Sequence, residues 1–155
     1  MNAARDFRQT SIVIAIDDAG NARRALDYGL DLAETLRLPV RLVHVARTAA
    51  FRSAEVQRID LDEVGAEGTP RVPEFELAVD LLERALARAE GRRIEAETVL
   101  LGGEPAEGLL QFLEECDRPM LVMGRRGQSR IQELLLGSVS DQVIRHARCP
   151  VIVIS

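Results

Sequence analysis

The sequence predicts an α/β domain, a doubly wound parallel sheet of five strands with helices on both faces. Three observations predict it. Five short runs rich in Val, Ile, Leu and Met alternate with stretches whose apolar residues recur at helical spacing. These runs are apolar on consecutive residues rather than on every second one, as strands buried on both faces require. No linker, internal repeat or low-complexity tract interrupts the 155 residues, so one domain spanning 1–155 is expected.

Thr10 to Ile16 is β-branched and apolar, the first strand, and Asp17-Asp-Ala-Gly20 supplies turn residues to end it. A helix follows, with Ala22, Ala25, Leu26, Gly29, Leu30, Ala33 and Leu36 on its inner face and Asp27, Asp31, Glu34 and Arg37 on the other. Pro39 stops it, and Val40 to Ala46 is the second strand. From Arg47 to Val72 the pattern is weak, with helical spacing only through Val56, Ile59 and Val64 and a cluster of Gly65, Gly68, Pro70 and Pro73. The stretch is too long for a bare connection, so a helix or a lid over a site is expected within it.

Glu74 to Glu90 reads as a helix burying Phe75, Val79, Leu82, Leu86 and Ala89, with Gly91 as its cap. Ile94 to Leu101 is the third strand. Gly102-Gly-Glu-Pro105 turns into a helix with proline in its first turn, burying Leu109, Phe112, Leu113 and Cys116. Met120 to Met123 is the fourth strand, Ser138 to Ala147 the last helix, and Cys149 to Ser155 a fifth, almost wholly apolar strand.

Composition restricts the function classes. The chain is 46% hydrophobic with 3% aromatic residues and no Trp, so its core is aliphatic. A net charge of −5 argues against general binding to nucleic acid or a membrane surface, which needs a basic face. No apolar run approaches the roughly 18 residues of a membrane span, and the first residues carry no signal-like apolar stretch, so a cytoplasmic protein without membrane insertion is expected. Cys116 and Cys149 form no Cys-x-x-Cys and have no histidine cluster nearby, which points to free thiols and no metal site.

In an open parallel sheet, ligands bind outside the carboxyl ends of the strands where strand order reverses. Asp17, Val45 and Met123-Gly124 project there. Gly124-Arg-Arg-Gly127 opens at a strand's carboxyl end, and Gly137-Ser138 closes at a helix's amino end. Glycines admit close backbone approach, and a helix start offers N–H groups, a hydroxyl cap and a positive dipole end, so the pair suits phosphate. Arg125, Arg126 and Arg130 add positive charge. The same spacing also suits two turn glycines and a cap with no ligand, and both readings stand on spacing alone.

Asp17 and Asp18 fit either a ribose or metal-bound water, or a plain turn. His44, inside an apolar strand, reads as a packed core histidine, and His146 as a partner of its helix's carbonyl end. There is no Gly-x4-Gly-Lys-Ser/Thr loop, no Gly-x-Gly-x-x-Gly after the first strand and no Gly-x-Ser-x-Gly elbow.

Taken together, Gly124, Gly127, Gly137 and Ser138 in the pattern Gly-x2-Gly-x9-Gly-Ser resemble the nucleotide-binding signature of the universal stress protein family, in its ATP-binding subgroup. Ile-Val-Ile-Ala-Ile-Asp17, His44-Val45, Gly103-Glu-Pro105, Leu-Val-Met-Gly124 and Arg-His-Ala-Arg-Cys-Pro-Val-Ile-Val-Ile at the end accompany it, so the resemblance covers all but about residues 47–72. It implies strand order 3-2-1-4-5, an adenine nucleotide alpha hydrolase-like fold, and a stress-response homodimer paired through Val151 to Ile154 and read by a regulatory protein partner. It also implies ATP as ligand, with Mg. Ala15, Ile16 and Asp17 would then border the adenosine, with Val45 meeting the adenine edge through its backbone. Met123 would pack near the base and Gly124 near the ribose, with Gly127, Gly137, Ser138, Val139 and Ser140 around the phosphates and Arg126 alongside.

The residues leave three functions open: an ATP-dependent regulatory dimer, a slow Mg-dependent ATPase or phosphotransfer enzyme positioning water with Asp17 or Asp18, and a nucleotide-free dimeric interaction module. Two departures from the family pattern bear on the choice. Asp18 stands where a small residue is usual, and Pro119 opens the fourth strand in place of an aspartate.

Overall fold

The computed structural model describes residues 9–18, 20–47, 57–59, 73–125 and 139–155. Its elements in order are β1 (Ser11–Ala15), α1 (Ala22–Leu36), β2 (Val40–Ala46), β3 (Gln57–Ile59), α2 (Pro73–Gly91), β4 (Ala96–Gly102), α3 (Pro105–Glu115), β5 (Pro119–Gly124), α4 (Val139–His146) and β6 (Val151–Ile154). They form one sheet of order β3-β4-β2-β1-β5-β6. The five expected strands are β1, β2, β4, β5 and β6, all parallel, in the expected order 3-2-1-4-5.

The exception is β3. Gln57–Ile59 pairs antiparallel with the outer edge of β4, Gln57 opposite Gly102 and Ile59 opposite Leu100. Ile59 therefore extends the sheet instead of belonging to a helix, and its backbone covers groups that β4 would otherwise leave open. The expected helix or lid in the rest of 48–72 lies outside the described residues.

The consecutive apolar residues of β1 follow from its central position. Ile12, Val13 and Ile14 are all fully buried, Ile12 and Ile14 against α1 and α2 with Leu30, Phe75 and Leu82, and Val13 on the opposite face with Leu109, Phe112 and Val143. Small residues set the helix-to-sheet distance: Gly29 of α1 sits where a Cβ would come 2.5 Å from Ile14 Cδ1. On α2 the fully buried positions include Ala78 and Ala85, while Val79 and Leu86 are only half-buried. Pro119, lacking an N–H, opens β5 opposite Ser11, a first-residue position that proline tolerates.

Two helix ends differ from expectation. Leu36 was expected on the inner face of α1, but it is the helix's last residue and is 46% exposed, because Arg37 turns away in a left-handed conformation (φ 55°). Gly91 ends α2 inside the helix, and the left-handed cap is Arg93 (φ 58°). There the Arg93 N–H donates to the Glu90 carbonyl (2.9 Å) and the Ile94 N–H to that of Ala89 (3.0 Å), the paired bonds of a Schellman cap. Among the described residues, no helix is long and apolar enough to cross a membrane.

Candidate functional site

The chain leaves β1 toward β2 and β4 on one side and returns to β5 and β6 on the other, so strand order reverses between β1 and β5. A cleft opens at the carboxyl ends of these strands, enclosing about 670 Å³ of non-atom space with its mouth included. That is the location expected of a small-molecule site in an open α/β sheet.

Eight residues singled out from the sequence line it: Ala15 at the end of β1 with Ile16 and Asp17 just past it, Val45 on β2, Met123 and Gly124 at the end of β5, and Val139 and Ser140 at the start of α4. They come from four separate elements, brought together by the crossover. Arg126, Gly127, Gly137 and Ser138 lie outside the described residues. Asp18 joins Asp17 in lining the cleft. Val43, His44, Pro105 and Leu109 also line it, and the sequence did not mark them as lining. Pro105 lies within a quoted motif and Leu109 one helical turn further on, so periodicity from that motif was the usable signal.

The lining divides by chemistry. Val45, Leu109, Met123 and Val139 make an apolar slot, while Asp17, Asp18 and Ser140 bring polar groups to it. Ser140 is buried at 3% exposure and sits in the first turn of α4. Such a slot with a few polar groups suits a flat apolar ring carrying a polar tail.

Gly124 has a reason internal to the protein. A Cβ there would lie 3.2 Å from the carbonyl carbon and oxygen of Asn21 and 3.4 Å from the Ala22 nitrogen. Glycine thus lets the end of β5 press against the start of α1, and the Asn21 Nδ2 donates to the Arg125 carbonyl (2.9 Å) across the same junction. The close approach that this glycine permits here is to α1.

His44 is half-buried and takes part in hydrogen bonding, so the plain core role expected for it is incomplete. Its Nδ1 lies 2.7 Å from the Ile16 carbonyl oxygen. A carbonyl only accepts, so Nδ1 carries the hydrogen. At the rim, Arg47 Nη2 meets Glu104 Oε2 at 3.1 Å, tying the end of β2 to the residue before α3. Both are exposed, and the pair adds little stability.

Away from the cleft, Cys116 and Cys149 are free thiols, as expected. Burial pushes the Cys149 thiol up from its ordinary value. His146 is exposed in the last turn of α4 beside Arg145, the position expected of it. No group of three or more potential metal ligands occurs among the described residues.

A family model described as the Universal stress protein family matches residues 10–155. The chain belongs to the universal stress protein family. It is 30% identical over 149 residues to universal stress protein YxiE of Bacillus subtilis (strain 168), covering 92% of this chain and 97% of that protein. A solved universal stress protein from Archaeoglobus fulgidus superposes with a TM-score of 0.70 at 26% identity, covering 96% of this chain and all of the other. The universal stress protein from Archaeoglobus fulgidus in complex with dAMP superposes with a TM-score of 0.66 at 26% identity, covering 94% and 98%. The fold of this universal stress protein is thus shared along nearly its whole length with solved members.

Proposed function

We propose that this universal stress protein binds ATP and acts as a regulatory homodimer, its nucleotide occupancy read by a partner protein. The observation that carries this reading is the convergence of eight sequence-selected residues from four elements on one cleft at the strand-order switch. The dAMP complex of a relative with the same fold adds the ligand class, an adenine nucleotide. Residues and ligand fit: an apolar slot for the base at Val45 and Met123, Asp17 at the end of β1 for ribose hydroxyls, and the start of α4 for phosphate. Gly127, Gly137 and Ser138 complete the phosphate loop in this reading, with Arg126 alongside and Mg²⁺ accompanying the triphosphate. The free thiols fit a reducing compartment, and we place the protein in the cytoplasm.

One observation favours slow hydrolysis as a second reading. Asp17 and Asp18 both line the cleft and would suit an Mg²⁺ ion and its water.

The test begins with small molecules released by denaturing freshly purified protein, followed by ATP titration with and without Mg²⁺. Co-purified ATP or saturable ATP binding, lost on Gly127→Leu in a folded protein, is the expected result. ADP accompanied by phosphate release would favour the hydrolytic reading. An empty site that ignores added ATP would leave only a dimeric interaction module.

A further inference from the structure

The parallel ladder between β1 and β2 stops one rung short. The Ile12 N–H donates to the Pro39 carbonyl (2.9 Å) and the Ile16 N–H to the Val43 carbonyl (2.7 Å), so the odd-numbered residues of β2 face β1. The even-numbered ones face β4, as the Val40 N–H to Glu95 carbonyl (2.8 Å) and Gly103 N–H to Ala46 carbonyl (3.1 Å) bonds show. By this alternation the next rung would run from the Val45 N–H to the Ile16 carbonyl. That rung is not made among the described residues, where the β1–β2 register ends at Ala15 opposite Val43. The Ile16 oxygen instead accepts from His44 Nδ1, 2.7 Å away.

We propose that His44 is a positioning residue: by drawing the Ile16 carbonyl to its own ring N–H, it turns that oxygen away from Val45 and leaves the Val45 N–H and C=O directed past the end of β1 into the cleft. The two groups lie side by side on one strand edge, a donor beside an acceptor. Adenine offers the complementary pair on its Watson–Crick edge, N1 accepting and the N6 amino group donating. Guanine offers the opposite, N1–H donating and O6 accepting, so the adenine contact that the family resemblance implies for Val45 depends on this edge being left open. The ligand half of this proposal rests on the nucleotide reading above. The backbone half stands without it.

Two variants of the full chain separate the hydrogen bond from the bulk of the ring. In His44→Asn the amide nitrogen falls near the place of Nδ1 and keeps the bond to Ile16. In His44→Gln the amide lies near the place of Nε2, beyond reach of that oxygen. Without nucleotide, amide hydrogen exchange at Val45 is expected to be fast in the wild type and in His44→Asn. In His44→Gln it is expected to slow by about tenfold or more as the missing rung closes. With nucleotide, ATP binding should weaken by about tenfold in His44→Gln, the worth of one lost hydrogen bond, with a narrowed preference over GTP and recovery in His44→Asn. Unchanged Val45 exchange in His44→Gln overturns the proposal, as does an ATP affinity and ATP-to-GTP preference equal in all three proteins. If the wild type binds no ATP, the nucleotide reading fails, and the Val45 exchange still decides the role of His44.

Discussion

Gly124 at the end of β5 and Asn21 at the start of α1 meet so closely that a methyl group on the glycine would stand 3.2 Å from the Asn21 carbonyl carbon and oxygen. This contact fixes one wall of the cleft, because α1 begins just after the loop carrying Asp17 and Asp18. Backbone cannot rotate away as a side-chain tip can. Gly124→Ala is therefore expected to lower stability by about 1–2 kcal/mol and to weaken nucleotide binding as the wall shifts. Urea unfolding and ATP titration measure the two effects. Asn21→Ala, which removes only the bond to the Arg125 carbonyl, should lose no more than about 1 kcal/mol. Wild-type stability in Gly124→Ala would mean the junction is looser than described.

Gly29 repeats the situation against a side chain. A Cβ there would stand 2.5 Å from Ile14 Cδ1 and 2.8 Å from its Cγ1. Alanine gains up to about 1 kcal/mol of helix propensity over glycine, and overpacking typically takes back about 1–3 kcal/mol. The expected net effect of Gly29→Ala is destabilising. Ile14→Val removes Cδ1, so the double variant should be more stable than the sum of the single changes predicts, by about 0.5 kcal/mol or more. Additivity in a double-mutant cycle of urea midpoints would contradict the contact.

Burial raises the Cys149 thiol, more than its backbone hydrogen bonding lowers it. As pH climbs through about 8.5, the thiol of the unfolded chain loses its proton first. The folded state then binds more protons than the unfolded one, so stability falls with pH until the raised value is passed, where the loss levels off. Below pH about 7.5 the group contributes no slope. Comparing wild type with Cys149→Ala between pH 7 and 10 isolates this effect, since other groups titrate in both. The wild-type advantage should shrink above pH 8.5. A constant difference would show that Cys149 ionises as it does in the unfolded chain.

What could be read from the sequence was whatever depends on short-range pattern. Ile12, Val13 and Ile14 announced a strand buried on both faces, and Val40–Ala46 was delimited by Pro39 and by its own apolar run. Asp17, Val45 and Met123 could be placed at one site because topology alone puts the ends of their strands together. Long-range and conformational features were not legible. β3 exists through pairing with β4 some forty residues on, and its three residues carry no period of their own. Arg93 in a left-handed cap resembles any surface arginine, with Gly91 two positions away as the more obvious candidate. His44 looked like core because sequence does not say which backbone oxygen lies beside the ring.

The open edge of β6 gives the proposed dimer a test that spares the fold. The Leu121 N–H donates to the Pro150 carbonyl (2.9 Å) and the Arg125 N–H to the Ile154 carbonyl (2.7 Å). By alternation, Ile152 and Ile154 turn their backbone groups to β5, while Val151 and Val153 direct theirs outward. An outward row of donors and acceptors on a half-buried, wholly aliphatic strand invites pairing with a second copy across a two-fold axis. Val153→Pro removes one outward N–H and leaves the β5 rungs alone, so light scattering should show a folded monomer. Ile152→Pro removes an inward N–H and should destabilise the fold itself, by about 1–3 kcal/mol as the Leu121 carbonyl loses its partner. The wild-type unfolding temperature should rise with protein concentration, and that of Val153→Pro should not. A monomeric wild type would refute the dimer. A Val153→Pro variant that dimerises as tightly as the wild type would move the interface off this edge.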